Sequence, residues 1–280
     1  FFKQKTAYAI GVRLVGSEMC IRDRSSVLYR GRLGRSSKAV ATHEEPLMTN
    51  DTDHADANAE IGEGTIIEPD VIVGFPYHPD AGIARVGRNS ILRRGTLIYG
   101  DVELGDYFQS GHNTIVRAKV RAGDYCTLCN QSTLEGVIRM GTGVRIMSHV
   151  YVPTRTWFGD HVFVGPGVHF LNSRYPGRVP DLPTPRGATI EDEVMIGGGV
   201  TVMAGITIGR GSFIAAGAVV TCDIPPRSFV RGCPGRIEPL PEKLDVETDK
   251  SLSIQTRDLW HPQTPDLETV DWPDDWAESW

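Results

Sequence analysis

VGRNSI, LRRGTL, IYGDVE, LGDYFQ, SGHNTI, VRAKVR, AGDYCT, LCNQST, LEGVIR, MGTGVR, IMSHVY, VPTRTW, FGDHVF and VGPGVH follow one another without a break from Val86 to His169. The same six-residue frame returns from Ile190 to Arg231 as IEDEVM, IGGGVT, VMAGIT, IGRGSF, IAAGAV, VTCDIP and PRSFVR. Position one is Val, Ile, Leu, Met or Phe, except at Ser110, Ala122 and Pro226. Position two is mostly Gly or another small or acidic residue, and position five is small or β-branched, with Phe108 the one large misfit. Neither a helical period of 3.6 nor a simple alternation fits this pattern. A short fixed period specifies a solenoid. Each hexad supplies one short strand and one corner, with positions one and five pointing into a narrow core. Gly at position two is expected to let the chain turn without a Cβ clash. Three hexads make one triangular coil, and coils stack at the strand spacing of about 4.8 Å. Stability is then a sum over neighbouring coils.

Around this core the frame breaks in defined places. Residues 1–47 are basic and serine-rich, and the first 24 resemble translated sequencing-adapter sequence. This segment is expected to be non-native or a targeting peptide and disordered, with Met48 as the natural start. Residues 48–60 are a polar linker, also expected to be disordered. The solenoid is expected over 61–236, with excursions at 73–85 and 170–189. The second excursion, FLNSRYPGRVPDLPTPRGAT, reads as a functional lid, because loops this long are rarely mere connectors. Residues 237–280 form an extension, with a short helix expected near Pro239–Val246 and an acidic tail carrying Trp272, Trp276 and Trp280.

Composition limits the function. The chain of 280 residues is 40% hydrophobic and 23% charged, with a net charge of −6. That balance argues against nonspecific nucleic-acid binding. No apolar run approaches the roughly 20 residues that span a bilayer, so no membrane partner is expected. Five cysteines give no disulfide framework, which points to the reducing cytoplasm. Cys126 and Cys129 form a C-x-x-C, but in the hexad frame both occupy small positions and read as core or corner residues.

The repeat resembles the left-handed parallel β-helix of the hexapeptide-repeat acyltransferases, over roughly Ile61 to Leu244. Two stretches, GDYFQSGHNTIV at 105–116 and residues 164–236, are similar to the subgroup that acetylates amino sugars, often nucleotide-linked ones. The resemblance implies an all-β, left-handed solenoid assembled as a homotrimer, with acetyl-CoA as cosubstrate, a small-molecule amino-sugar acceptor and no metal.

Residues eighteen apart stack on one corner. There, position four reads Asn113, Gln131, His149, Gly167, and then Gly199 and Gly217. Position three reads His112, Asn130, Ser148, Pro166, and then Gly198 and Ala216. The edge is polar in its middle and bare toward its C-terminal end. A transferase needs that combination: side chains to hold a substrate, and open backbone beside which a thioester cofactor can lie. His149 is the preferred general base, since imidazole titrates near neutral pH; a substrate contact is its alternative role. His112, Asn113, Asn130 and Gln131 are candidate substrate contacts, with structural corner roles as the alternative. Asn172, Arg174 and Tyr175 open the second excursion and join the candidate substrate set. Arg174, Arg178 and Arg186 make that excursion basic, which suits a nucleotide diphosphate. The resemblance places the cofactor beside Gly167, Gly199, Ala216 and Gly217. The family's end motif stands here as Val230-Arg231-Gly232-Cys233-Pro234-Gly235-Arg236, with Gly235 where Ala is usual. Arg231 and Arg236 are candidates for the cofactor phosphates, with solvated surface charge as the alternative.

Three other functions compete. A sugar O-acetyltransferase would use the same edge. A γ-carbonic-anhydrase-like hydratase would need three histidines on one zinc, and His149, His161 and His169 fall at different positions of the frame. A non-catalytic scaffold is the third, because fold alone does not set function. Serine acetylation and a two-step sugar-nucleotide enzyme are disfavoured, since neither a helical nor a nucleotidyltransferase domain precedes the repeats.

Overall fold

The computed structural model describes residues 58–177, 186–246 and 248. The calls on residues 1–57, on Arg178 and on the tryptophan tail lie outside the described residues. Within them, strands of two to four residues form three sheets of eight, ten and eight strands, each sheet taking every third strand in order. We name the sheets by their first strands: the first begins at Ala59–Ile61, the second at Ile66–Ile67 and the third at Ile72–Phe75. The register between coils is eighteen residues for most of the solenoid, and it widens across the excursions, where Ala59 pairs with Ala84 and Trp157 with Thr189. Thr127 pairs with Gln109 and Arg145 in the second sheet, and Thr133 pairs with Ile115 and Tyr151 in the third. All pairings are parallel until the terminal hairpin, where Ser228–Arg231 runs antiparallel to Arg236–Pro239.

The core follows the frame. Position-one residues such as Leu128, Leu134, Ile146, Val152 and Val164, and position-five residues such as Val144 and Val200, are fully buried. Two irregular positions find local solutions. Ser110 lies inside the prism, where its Oγ is 2.7 Å from Thr96 Oγ1, which is itself 3.2 Å from Thr114 Oγ1. Their hydroxyls satisfy one another, as buried polar groups must. Phe108 is fully buried because the residues stacked above and below it, Ser90 and Cys126, are small. Burial pushes the Cys126 thiol up to about 12, so it is a neutral core residue. Cys129 is half-buried, 4.0 Å from Met147 Sδ.

The corners correct one expectation. The residue that turns the chain is position four, which is left-handed in coil after coil: φ is 54° at Asn113, 55° at Gln131, 61° at His149 and 66° at Gly167. Position two has a different task. A Cβ at Gly105 would lie 2.6 Å from the carbonyl carbon of Gly123, and one at Gly141 would lie 2.7 Å from that of Gly159. Glycine is needed there because the next coil's backbone passes too close for a side chain. The adjoining position three of this first corner, between the first and second sheets, carries an aspartate ladder. Asp106, Asp124 and Asp160 accept the N–H groups of Arg88, Asp106 and Thr142 at 2.7–2.8 Å.

The excursions also differ in extent from the expectation. The strands Ile72–Phe75 and Ala84–Val86 leave only 76–83 outside the sheets, rather than 73–85. Near the C-terminus, the expected short helix is a single 3-10 turn, Glu242–Leu244. Among the described residues no helix is long and apolar enough to cross a membrane.

The two kinds of glycine predict different costs. Gly167→Ala meets open space and only left-handed strain, about 1–2 kcal/mol. Gly141→Ala drives a methyl group into the next coil and is expected to destabilise by more. Urea denaturation of both variants measures this, and equal losses would remove the distinction.

Candidate functional site

The corner between the second and third sheets carries the site residues. Each position-four N–H donates to the position-three carbonyl of the coil below: Gln131 to His112 at 2.9 Å, His149 to Asn130 at 3.0 Å, and Gly167 to Ser148 at 3.0 Å. Gly199 donates to Pro166 and Gly217 to Gly198, both at 2.9 Å, so the ladder runs on past the second excursion. It fixes the backbone and leaves the side chains of His112, Asn113, Asn130, Gln131 and His149 exposed on one edge.

Asn130 does the work of the aspartates on the first corner. Its Oδ1 accepts the His112 N–H at 2.8 Å and lies 3.4 Å from His112 Nδ1. Glu68 Oε2 stands 3.7 Å from His112 Nε2. His112 is therefore held from both sides. This side-chain ladder stops at Asn130, because Ser148, Pro166, Gly198 and Ala216 have no carboxamide or carboxylate. The N–H groups of Ser148, Gly198 and Ala216 have no acceptor among the described residues. Beside them, Gly167, Gly199 and Gly217 are left-handed, and nothing lies within 4 Å of where a Cβ would stand. The sequence showed a bare edge; the run of unpaired donors was missed. Its signal was available, as the loss of Asn or Asp from position three.

Asn172, Arg174 and Tyr175 stand elsewhere. They follow the third-sheet strand His169–Phe170, across that sheet from the His149 corner. Arg174 Nη2 donates to the Thr221 carbonyl at 3.1 Å, and Tyr175 is exposed. Ser173 has a buried Oγ without a partner among the described residues. One chain does not bring these residues to His149.

Arg231 and Arg236 face each other across the terminal hairpin. Val219 donates to the Gly232 carbonyl at 3.0 Å and Gly235 to the Val219 carbonyl at 2.8 Å, so the hairpin's turn folds over the end of the glycine edge. A Cβ on Gly235 would lie 2.9 Å from the Val219 oxygen, which accounts for glycine in place of alanine. Arg231 is paired with Glu238 at 3.0 Å, and Arg236 is exposed. The other histidines diverge. His161 is on the first corner, and His169 is on the outer third sheet between Tyr151 and Thr201. Among the described residues no three His, Cys, Asp or Glu side chains gather as a metal site.

Residues 187–222 match the family model of the bacterial transferase hexapeptide, six repeats. That stretch of the chain carries the transferase hexapeptide repeat. The bifunctional protein GlmU of Geotalea uraniireducens is 28% identical over 228 residues, covering 75% of this chain and 47% of that protein. A 2,3,4,5-tetrahydropyridine-2,6-dicarboxylate N-acetyltransferase of Staphylococcus aureus is 34% identical over 79 residues, 28% of this chain and 30% of that one. The chain thus spans about half the length, or less, of these curated relatives. Among solved structures, the UDP-N-acetylglucosamine acyltransferase of Campylobacter jejuni superposes with a TM-score of 0.51 at 19% identity, covering 73% of this chain and 83% of that one. The fold is the left-handed parallel β-helix.

The side-chain ladder makes a structural prediction. Asn130→Ala leaves the His112 N–H unpaired and is expected to cost about 1 kcal/mol. Gln131→Ala, with no bonded side chain on this edge, is expected to cost less than about 0.5 kcal/mol. Thermal melts of both variants test the difference.

Proposed function

We propose that this protein transfers the acetyl group of acetyl-CoA to the amine of an amino sugar, most naturally a nucleotide-linked one. One observation carries the reading. A single corner changes from exposed polar side chains to open left-handed glycines, beside which the N–H groups of Ser148, Gly198 and Ala216 have no acceptor among the described residues. An extended pantetheine arm, with amides and a thioester, is complementary to the open part. Gly167, Gly199, Ala216 and Gly217 would line that arm, and Arg236, with Arg231 if it exchanges Glu238 for a phosphate, would meet the nucleotide end. The thioester supplies an acyl group activated toward a nucleophile.

His149 stands where the polar and open parts meet. Its imidazole would take the proton from the acceptor nitrogen as that nitrogen attacks the carbonyl. Asn113, Asn130 and Gln131 would orient the sugar from the coils below, and His112, held by Asn130 and Glu68, would donate a fixed hydrogen bond. The same arrangement suits a sugar hydroxyl, which is the second reading.

Asn172, Arg174 and Tyr175 contribute in this scheme from a neighbouring subunit, and we propose a homotrimer for that reason. The outer row of the second sheet, Phe163, Met195, Phe213 and Phe229, is apolar, while the first sheet shows Arg85, Glu103, Arg121 and Arg139. Closed cyclic assembly buries such an apolar row. The unpaired cysteines Cys126, Cys129, Cys222 and Cys233 and the cosubstrate suit a cytoplasmic enzyme.

Two measurements test this. Titration calorimetry with acetyl-CoA is expected to give micromolar binding by the native chain. Gly199→Asn should weaken it about tenfold while keeping the fold, because Asn accepts the left-handed turn but fills the edge. His149→Ala should bind normally and turn over about a hundredfold or more slowly. Absence of acetyl-CoA binding by the native chain would overturn the assignment. Sedimentation should show a trimer, and Phe213→Asp should dissociate it and abolish turnover; a native monomer would refute the shared site.

A further inference from the structure

A groove of about 830 Å³ lies along the outer first sheet and its corner with the third sheet, away from the candidate active edge. Its walls carry five cationic side chains against two carboxylates, in a chain whose net charge is −6. Arg121 contacts Glu103 at 3.3 Å, whereas among the described residues no carboxylate pairs with Lys119 or Arg139. The floor is apolar and open: Trp157 is 55% exposed and Val137 49%. A large exposed aromatic among five cations, of which Lys119 and Arg139 have no carboxylate partner among the described residues, calls for an occupant that is both acidic and apolar.

The same chain contains such a segment. Residues 261–280 hold six carboxylates, no Lys or Arg, and the tryptophans Trp272, Trp276 and Trp280. We propose that this C-terminal segment docks in the first-sheet groove of its own chain. Its carboxylates would meet Lys119, Arg121 and Arg139, and its indoles would cover Trp157 and Val137. The described chain ends beside a corner that borders the first sheet, opposite the groove's own corner. Arg227, on the corner bordering the first sheet, donates to the Asp245 carboxylate. The Trp157 coil is three strand steps below, roughly 15 Å. The stretch from Val246 to His261 reaches up to about 50 Å when extended, so the groove is well within range. The proposal does not depend on the transferase reading.

The test uses the full chain and a zero-length carbodiimide. Lys119 and Lys243 are the lysines of the described solenoid and its extension, and Lys250 lies beyond them. Peptide mapping of the single-chain product is expected to show Lys119 joined to a carboxylate between Asp266 and Glu278. The double variant Arg121→Glu, Arg139→Glu should lower that yield about tenfold, since both contacts are electrostatic and become repulsive. Cleavage after Glu268 and Glu278 by a glutamate-specific protease should accelerate to a similar degree. Both altered side chains are exposed, and an unchanged melting curve would confirm an intact solenoid. Tail carboxylates joined only to Lys243 or Lys250, joined to Lys119 of a second chain, or not joined at all would overturn the proposal. So would a Lys119 cross-link and a cleavage rate that ignore the double variant.

Discussion

Everything in this molecule depends on the hydrogen-bonded register that sets each coil on the last, eighteen residues apart for most of the solenoid. Two-residue strands are too short to be stable alone. They persist because each donates to one coil and accepts from another, in three sheets at once. The constraint reaches the side chains directly. At the first corner the next backbone passes so close to position two that only glycine fits at Gly105 and Gly141. Position three then takes over the pairing of N–H groups that the strands leave unmet, through Asp106, Asp124 and Asp160. A change in any of these affects the contact between coils rather than a single strand.

The architecture was legible from the hexads because the inward positions obey one rule throughout. Even the misfits Ser110 and Phe108 fit once the residues eighteen away are considered together. The candidate site was legible in part. The stack from Asn113 to Gly217 follows from counting alone, and the structure brings those residues to one edge. The reason for each glycine was not legible, since a left-handed turn and a close backbone are both written as Gly. The placement of Asn172, Arg174 and Tyr175 was also hidden, because proximity along the chain says little once an excursion leaves the frame on the far side of a sheet. The partner of Arg231, Glu238, appears only when the hairpin closes.

The two ladders explain why one corner is suited to chemistry and another is not. On the first corner, carboxylates accept the N–H groups of Arg88, Asp106, Thr142, Asp160 and Arg210. On the second, Asn130 performs the same task for His112, and then the acceptors cease. The N–H groups of Ser148, Gly198 and Ala216 have no acceptor among the described residues, yet the position-four bonds to the coil below continue unbroken through Gly217. The backbone therefore stays rigid where its N–H groups become available. Preorganised donors of this kind need no rearrangement to meet a ligand, and the loss of side chains costs the fold little because the inward residues still carry the packing.

The outward faces divide the remaining tasks by charge and polarity. The row on the first sheet is ionic from Glu60 to Arg139, and the row on the second is apolar from Phe163 to Phe229. A repeat places the same position on the same face in every coil, so a surface property is acquired by a whole row at small cost to the interior. This separates the demands of assembly from those of solubility, which in an ordinary domain compete for the same residues. It also accounts for the break in the first-sheet row at Trp157. Between Arg139 and Thr189 in that row, an indole at 55% exposure contributes little to the core and lowers solubility. The proposed contact surface gives it a role, and the cations beside it supply the charge.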